Sequence, residues 1–336
     1  MILVNVSSVK KGKSGGSETL ASNFISSIKG RCAQIIFIGA EEYLNSLNLP
    51  KIYCRSVKIE NHILRRLYVE YLLLPYLVFI LRPKRVINFS NTCSPIIRKS
   101  INLLILLDAN YRYHEGMAKV KRIMLKSYTK FISNRADIIV TISGAAASDL
   151  QQDIRGPVHV AYLGGSFDSL RKTSDKPVLN LNKPYVLALS SLSTNKNIAW
   201  LVSNWSCDLP TLVLTGHGSE HFLGENILGV GYTPKDTLHD LFYHCDVFVF
   251  PSIYEGFGIP IVDCMSMNKP LVCSDIPVFR EVAGNYGTFF QLQSKESLIQ
   301  AIKYALTGNQ ERNVPREYSW DIFTDKIMTL SQNKFP

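Results

Sequence analysis

Short apolar runs alternate with helical patterns along almost the whole chain, and this alternation restricts the fold more than any other feature. Strand-like runs fall at 2–6, 34–38, 86–89, 103–107, 138–142 and 158–162, then at 185–189, 211–214, 227–230, 247–250 and 271–273. Helical patterns lie between them, at 17–28, 61–81, 117–133, 144–151, 234–243, 259–267, 295–306 and 319–331. Strands that alternate with helices build parallel sheets from βαβ units. Strands that are apolar throughout, rather than at every second position, sit in sheets covered on both faces. The segment 164–183 is rich in Gly, Ser, Asp, Lys and Pro and separates the two series. The expected architecture is α/β, with two Rossmann-like domains facing across an interdomain cleft. Ligands in such sheets bind at the carboxyl ends of the strands, and a cleft between domains is a common place for a site.

Composition narrows the class. A chain of 336 residues has room for two cores, and 46% hydrophobic against 19% charged residues fits a globular protein rather than a disordered one. The seven cysteines (32, 54, 93, 207, 245, 264 and 273) are odd in number, scattered and without a Cys-x-x-Cys pair, which favours a reducing compartment over a disulfide framework or zinc knuckle. The first residues read as a strand rather than a signal peptide. The apolar run 71–81 contains Pro75 and is well short of the roughly 20 residues needed to span a bilayer. Its flanks are Arg65-Arg66 and Arg82-Pro83-Lys84-Arg85, so it reads either as a core helix or as one lying on a membrane surface. Charge is uneven. Residues 1–168 hold 23 Lys and Arg against 11 Asp and Glu, and residues 169–336 hold 14 against 16. That asymmetry points the first half towards an anionic partner, a lipid surface or a phosphorylated acceptor. Lys119, Lys121, Arg122, Lys126 and Lys130 lie along one helical pattern, which also fits a plain solvated face. No nucleic-acid motif accompanies the charge.

The run from Phe250 through Pro251-Ser252-Ile253-Tyr254-Glu255-Gly256-Phe257-Gly258-Ile259-Pro260 to Asp263 carries the chemistry. An apolar strand breaks at Pro251, passes an acid and two glycines, and restarts as a helix with Pro in its first turn, where the missing N–H costs nothing. Glycines admit a ligand to bare backbone, and the free N–H groups of a helix start favour an anion such as a diphosphate. Glu255 and Asp263 bracket that start, and carboxylates accept hydrogen bonds from sugar or ribose hydroxyls.

This run resembles the signature of the retaining glycosyltransferases of family 4, in which Pro-Ser-x-x-Glu-Gly-Phe-Gly-x-Pro carries two acids eight positions apart. Here the second is Asp263 instead of Glu. The resemblance continues through Lys269-Pro270-Leu271-Val272-Cys273-Ser274-Asp275 and Glu281-Val282-Ala283-Gly284. It implies the GT-B fold, with an acceptor domain at 1–165, a nucleotide-sugar domain at 166–318, and a terminal helix at 319–336 that crosses back to the first. That helix carries the stripe Trp320, Phe323, Ile327 and Leu330.

Further loops carry the same resemblance. Gly15 and Gly16 match a glycine loop that faces the donor diphosphate. The neighbouring Gly12-Lys13-Ser14 is no P-loop, because Ser7 stands where that motif needs glycine. The loop Ser190-Ser191-Leu192-Ser193-Thr194-Asn195-Lys196-Asn197 matches a Gly-Ser-Leu-x-x-x-Lys-Asn pattern. Lys196 would there neutralise the donor phosphates and the leaving group. Ser191 replaces a frequent Arg. Tyr232, in Gly229-Val230-Gly231-Tyr232-Thr233, falls in the nucleobase segment. Relatives carry His-Asp where this chain has Leu107-Asp108, so Asp108 is left as a lone candidate or a turn cap. Ser143 reads as a helix N-cap, and Asn110 and His114 follow Asp108.

The resemblance implies a hexosyltransferase that retains anomeric configuration. Glu255 would hold the sugar, Asp263 the ribose, and the amides of Phe257, Gly258 and Ile259 the diphosphate, with Gly256 also in the donor site. There is no Asp-x-Asp, and His217 and His221 do not form His-Glu-x-x-His, so neither metal nor other cofactor is expected. The donor is a nucleoside-diphosphate sugar, GDP-mannose first and UDP- or dTDP-sugars next. The acceptor is a polyprenyl-diphosphate-linked glycan of O-antigen or capsule assembly, met from the cytoplasm at the inner membrane surface. The rival readings are a glycoside hydrolase with two carboxylates, a nucleotidase using Lys13, and a catalytically impaired nucleotide-sugar or carbohydrate-binding protein.

Overall fold

The computed structural model describes residues 1–9, 11–12, 16–29, 31, 34–50, 53–89, 91, 93–97, 100–113, 117–167, 184–191, 193–309 and 312–330. The chain divides into two compact units, 1–163 together with 319–336, and 164–318.

The first unit holds seven strands, β1 (Ile2–Asn5), β2 (Ile35–Ala40), β3 (Cys54–Val57), β4 (Arg85–Asn88), β5 (Ile101–Ile105), β6 (Ile138–Thr141) and β7 (Val158–Val160). They pair in the order β3-β2-β1-β4-β5-β6-β7, all parallel. Its helices are α1 (Gly16–Ile28), α2 (Glu41–Ser46), α3 (His62–Tyr68), α4 (Leu74–Leu81), α5 (Lys119–Ser133) and α6 (Gly144–Gln151). Strands β1 and β5 are buried at every position, as sheets covered on both faces require. The helix expected at 61–81 is one continuous rod, but a π-helical turn, Val69–Leu73, joins α3 to α4. Asn61 caps its start, its side chain accepting from the amides of Ile63 and Leu64. Ser143 caps α6 as expected, with its Oγ accepting from Ala146 N at 3.0 Å.

Three asparagines interrupt the apolar strands of this sheet. Asn5, Asn88 and Asn102, on β1, β4 and β5, are fully buried. Asn5 Nδ2 donates to Asn88 Oδ1 (3.2 Å), and Asn88 Nδ2 donates to Asn102 Oδ1 (2.7 Å). Asn102 Nδ2 lies 3.2 Å from the Ser94 carbonyl, which accepts from it. Each amide therefore finds partners inside the core, where an unpaired one would cost about 1–3 kcal/mol.

Helix α12 (Trp320–Leu330) packs on α1. Phe323 meets Phe24 edge-on with centroids 6.2 Å apart, and Trp320, Phe323 and Ile327 are buried. Ser27 Oγ donates to Asp321 at 2.6 Å, and Arg31 pairs with Asp321 and Asp325.

After α6, the Asp153 carboxylate is withdrawn from solvent. It accepts from Tyr111 Oη and Arg112 Nε, both at 2.8 Å, and pairs with Lys126 at 2.9 Å. Burial raises its pKa, but the hydrogen bonds from Lys126, Tyr111 and Arg112 outweigh that and hold it below the ordinary range. Asp153→Asn should destabilise the first unit by about 2 kcal/mol at neutral pH, less than for a fully buried pair because Arg112 and Lys126 reach water. A depressed native pKa gives stability that is present above the unfolded-state value and lost as pH falls through the native one. Melting curves of wild type and variant should therefore converge as pH falls through the depressed native value. An undiminished gap in acid would contradict this account.

The second unit holds β8 (Tyr185–Leu189), β9 (Thr211–Thr215), β10 (Leu223–Gly224), β11 (Ile227–Gly229), β12 (Val247–Phe250), β13 (Leu271–Ser274) and β14 (Gly287–Phe290). The order is β10-β11-β9-β8-β12-β13-β14, parallel except for the edge strand β10. Helices α7 (Ile198–Ser203), α8 (Lys235–His244), α9 (Ile259–Ser266), α10 (Pro277–Ala283) and α11 (Lys295–Leu306) cover it. Val186, Leu212, Val249, Val272, Leu298 and Ile302 belong to its continuous core. Both units are doubly wound. In the second, the chain moves from β8 outwards through β9 and β11, then returns to β12 on the other side of β8. The switch point lies between β8 and β12.

Candidate active site

Two parallel strands that leave a switch point in opposite directions open a crevice at their carboxyl ends. Strands β8 and β12 are such a pair, with Val247 opposite Val186 and Val249 opposite Ala188. The loop after β8 carries Lys196, and the loop after β12 carries Glu255. Hydrogen bonds stitch the loops together. Ile253 N donates to Asn195 O at 2.8 Å, and Asn195 Nδ2 donates to Tyr254 O at 3.1 Å. Lys196 closes a 3-10 turn, Thr194–Lys196, and Asn197 follows in the left-handed region before α7.

That scaffold brings Lys196 Nζ within 2.5 Å of Glu255 Oε1. Ser252 Oγ donates to the same oxygen at 2.8 Å. The ammonium also stands 4.8 Å from the Phe250 ring centroid, and Phe250 stacks on Phe279 at 5.0 Å. A cation over an aromatic face, paired with one carboxylate and still partly open to solvent, is held extended and remains able to accept a second anion. Ser252, Asn195 and Phe250 lie inside the motifs above: Ser252 bonds Glu255, the Phe250 ring lies beside Lys196, and Asn195 ties the two loops together.

Beyond Glu255 the chain turns into α9 through Gly258, whose φ of +98° strains any side chain. A Cβ there would stand 3.1 Å from the Phe279 ring. Pro260 occupies the first turn, as expected. Phe257 is buried with its ring against Tyr318, so its side chain serves packing, leaving only backbone for a ligand. Gly256 and Gly258 are buried beside it, and Ile259 is half-buried.

Asp263 has different surroundings from Glu255. It lies in the second turn of α9, is 3% exposed, and its Oδ1 accepts from Ser166 N at 2.5 Å. Asp263 is the residue expected to hold the ribose, and a diol there would share the carboxylate with the Ser166 amide.

Across β8 from this pair, Gly216 follows β9 with φ +119°. Its N–H donates to Gly231 O at 2.8 Å, while Ser190 N donates to Thr215 O at 2.7 Å. A cavity of about 390 Å³ opens here, lined by Ser190, Ser191, Ser193, Asn197 and His217 among others. Ser191 Oγ accepts from Ser193 N at 3.3 Å. At its mouth His217 stacks on the exposed Tyr232, with centroids 4.9 Å apart and planes at 21°. Nothing in the sequence announces this stack, since His217 and Tyr232 lie in separate loops. Among the described residues no three His, Cys, Asp or Glu side chains gather at metal-binding distance.

The remaining candidates belong to the first unit. Asp108 follows β5, and its Oδ1 accepts from Asn110 N at 2.9 Å, closing a local turn just ahead of the 3-10 turn Asn110–Arg112. Gly16 opens α1, is exposed, and has open space where a Cβ would stand. Gly15, Lys13 and His114 lie outside the described residues.

Two doubly wound units of this size are the GT-B architecture. Sucrose-phosphate synthase from Thermosynechococcus elongatus matches with a TM-score of 0.78 at 16% identity, over 98% of this chain and 97% of that one. Anabaena HepE, solved in complex with UDP and glucose, matches at 0.70 and 18% identity, over 98% and 99%. At such identities the likeness is one of fold. Residues 171–320 match the family of glycosyl transferases group 1, a stretch that takes in most of the second unit. O-antigen chain mannosyltransferase B of Escherichia coli is 31% identical over 107 residues, which are 30% of this chain and 28% of that one. O-antigen chain mannosyltransferase RfbU of Salmonella typhimurium is 32% identical over 133 residues, 35% of this chain and 37% of that one. The chain thus spans about a third of the length of these curated relatives.

Proposed function

We propose that this chain moves a hexose from a nucleoside-diphosphate sugar to a glycan acceptor in O-antigen assembly, with retention and without a metal. The observation that carries the reading is the Lys196–Glu255 pair at the carboxyl ends of β8 and β12, inside a glycosyl transferases group 1 domain. Lys196 would take the donor phosphates, and Glu255, held by Ser252, would accept hydrogen bonds from the sugar. The amides around Gly258 would grip the diphosphate. The acceptor hydroxyl oxygen forms a bond to the anomeric carbon on the face the diphosphate leaves. The carbon–phosphate oxygen bond breaks, and the hydroxyl proton passes to the departing phosphate. No side-chain nucleophile is needed, and catalysis is positioning plus stabilisation of leaving-group charge.

GDP-mannose is the first donor to test, because the relatives named above are mannosyltransferases; UDP- and dTDP-sugars come next. The acceptor is a polyprenyl-diphosphate-linked glycan at the inner membrane face. Among the described residues no helix is long and apolar enough to cross a membrane. A second reading, a binding protein that does not turn over, is favoured by the engagement of Asp263 with Ser166. Incubation with each nucleotide sugar, following nucleoside-diphosphate release with and without lipid-linked acceptor, separates the two. Transfer predicts acceptor-dependent release from one donor, and release from none supports binding alone. Asp263→Ala should raise the donor KM roughly ten-fold with kcat little changed, as a lost ribose hydrogen bond would. An unchanged KM would remove Asp263 from the donor site.

A further inference from the structure

The outer face of one helical rod in the first unit is built for something other than water. Along α3, the π-helical turn and α4, every exposed position from Ile63 to Ile80 is apolar or aromatic. Phe79 is 75% exposed and Leu72 63%, with Leu64, Tyr76 and Ile80 also above half. The opposite face, including Val69, Leu74, Leu77 and Val78, packs into the core. A helix apolar all round is ordinarily buried all round, and a contiguous exposed apolar face marks an interaction site. The rod spans about 30 Å, so the face is not a stray side chain.

Helix α5 lies beside it. Tyr128 of α5 donates to Glu70 Oε2 at 3.1 Å and accepts from Arg66 at 2.9 Å, and Arg66 pairs with the buried Glu70. On its exposed side α5 shows Val120 (69% exposed), Ile123 and Met124, interleaved with Lys119, Lys121 and Lys130. Among the described residues these three lysines make no ion pair. Neither helical element exposes a carboxylate: α5 contains none, and Glu70 is the only acid from 62 to 81.

We infer that α3–α4 and the outer face of α5 together dock on an anionic lipid bilayer. The apolar and tyrosine side chains enter the headgroup boundary, and the lysines meet lipid phosphates. Charge decides between this occupant and a second copy of the chain. A two-fold interface would set one basic, acid-free face against its twin, where like charges repel. A bilayer of acidic lipids supplies the missing anions. This surface gives a place in the fold to the membrane partner proposed above, and it stands or falls without any sugar transfer.

Flotation of the full chain with vesicles tests it. Binding is expected to vesicles of phosphatidylethanolamine with phosphatidylglycerol, weakened by salt, and much less to phosphatidylcholine alone. Leu72→Gln with Phe79→Gln should cut the partition coefficient at least about ten-fold while leaving the melting temperature unchanged, because both side chains already face water. Lys119→Gln, Lys121→Gln and Lys130→Gln should each cost about five-fold on anionic vesicles. Folded wild type that stays free of anionic vesicles would overturn the inference. So would binding that neither set of variants alters, or a dimer by sedimentation velocity that the Leu72–Phe79 variant dissociates. Flotation uses no nucleotide sugar, so a protein that floats yet releases no nucleoside diphosphate would sink only the transfer reading.

Discussion

Lys196→Met is expected to lower kcat by about 10²–10³-fold, the usual cost of removing one charge stabiliser aimed at a transition state. The ammonium has a carboxylate at 2.5 Å and an aromatic ring beneath it, so its position is fixed before any donor arrives. If its task is the leaving diphosphate, the loss falls mainly on kcat rather than KM. Two further variants separate that task from a structural one. Lys196→Met with Glu255→Gln removes the uncompensated carboxylate and restores stability; because Glu255 itself is assigned to the sugar, its turnover is compared with that of Glu255→Gln, and it falls below that level if Lys196 acts on phosphate. Lys196→Arg keeps the charge but spreads it over a planar fork, and partial activity follows. Steady-state release of nucleoside diphosphate reads each of them. A double variant as active as Glu255→Gln alone would show that Lys196 serves only to balance Glu255.

The second large effect is on stability. Gly216→Ala should destabilise the second unit by about 3–5 kcal/mol and abolish donor binding. The new Cβ would stand 2.1 Å from the Ser190 carbonyl oxygen, and backbone on both sides is committed to hydrogen bonds that cannot yield. Backbone at φ +119° adds strain of its own. Gly308→Ala supplies the contrast in the same unit, since its φ is +75° but nothing lies within 4 Å of the added carbon. It should cost only about 1–2 kcal/mol. Calorimetry resolves the two, and equal losses would mean that backbone conformation, not collision, dominates at Gly216.

The parts of this molecule legible in sequence are those encoded locally. Continuous apolar runs located β8, β12 and β13 closely, and the Gly-Phe-Gly-Ile-Pro turn located the start of α9. Strand β3 reads Cys-Arg-Ser-Val, with two exposed residues at a sheet edge, and lacks any apolar run. Strand β14 reads Gly-Thr-Phe-Phe and shows no continuous apolar run, and the helices α2, α7 and α10 are too short to show a helical period. The π-helical turn changes no residue type and leaves the helical pattern nearly intact. Site contacts fared differently. Lys196 and Glu255 are 59 positions apart, and only the strand order that makes β8 and β12 neighbours turns two motifs into one ion pair. Asp263 and Ser166, 97 positions apart, meet without any motif to announce it.

The asparagine ladder of the first sheet acts on which fold forms rather than on how tightly it holds. A parallel sheet made only of Ile, Leu and Val would accept neighbouring alignments almost equally well, since one aliphatic side chain substitutes readily for another. A slip of one residue between β1 and β4, or between β4 and β5, would strand amides in hydrocarbon. The three residues thus act as a combination lock: the greasy strands drive assembly, and the polar tumblers admit a single alignment.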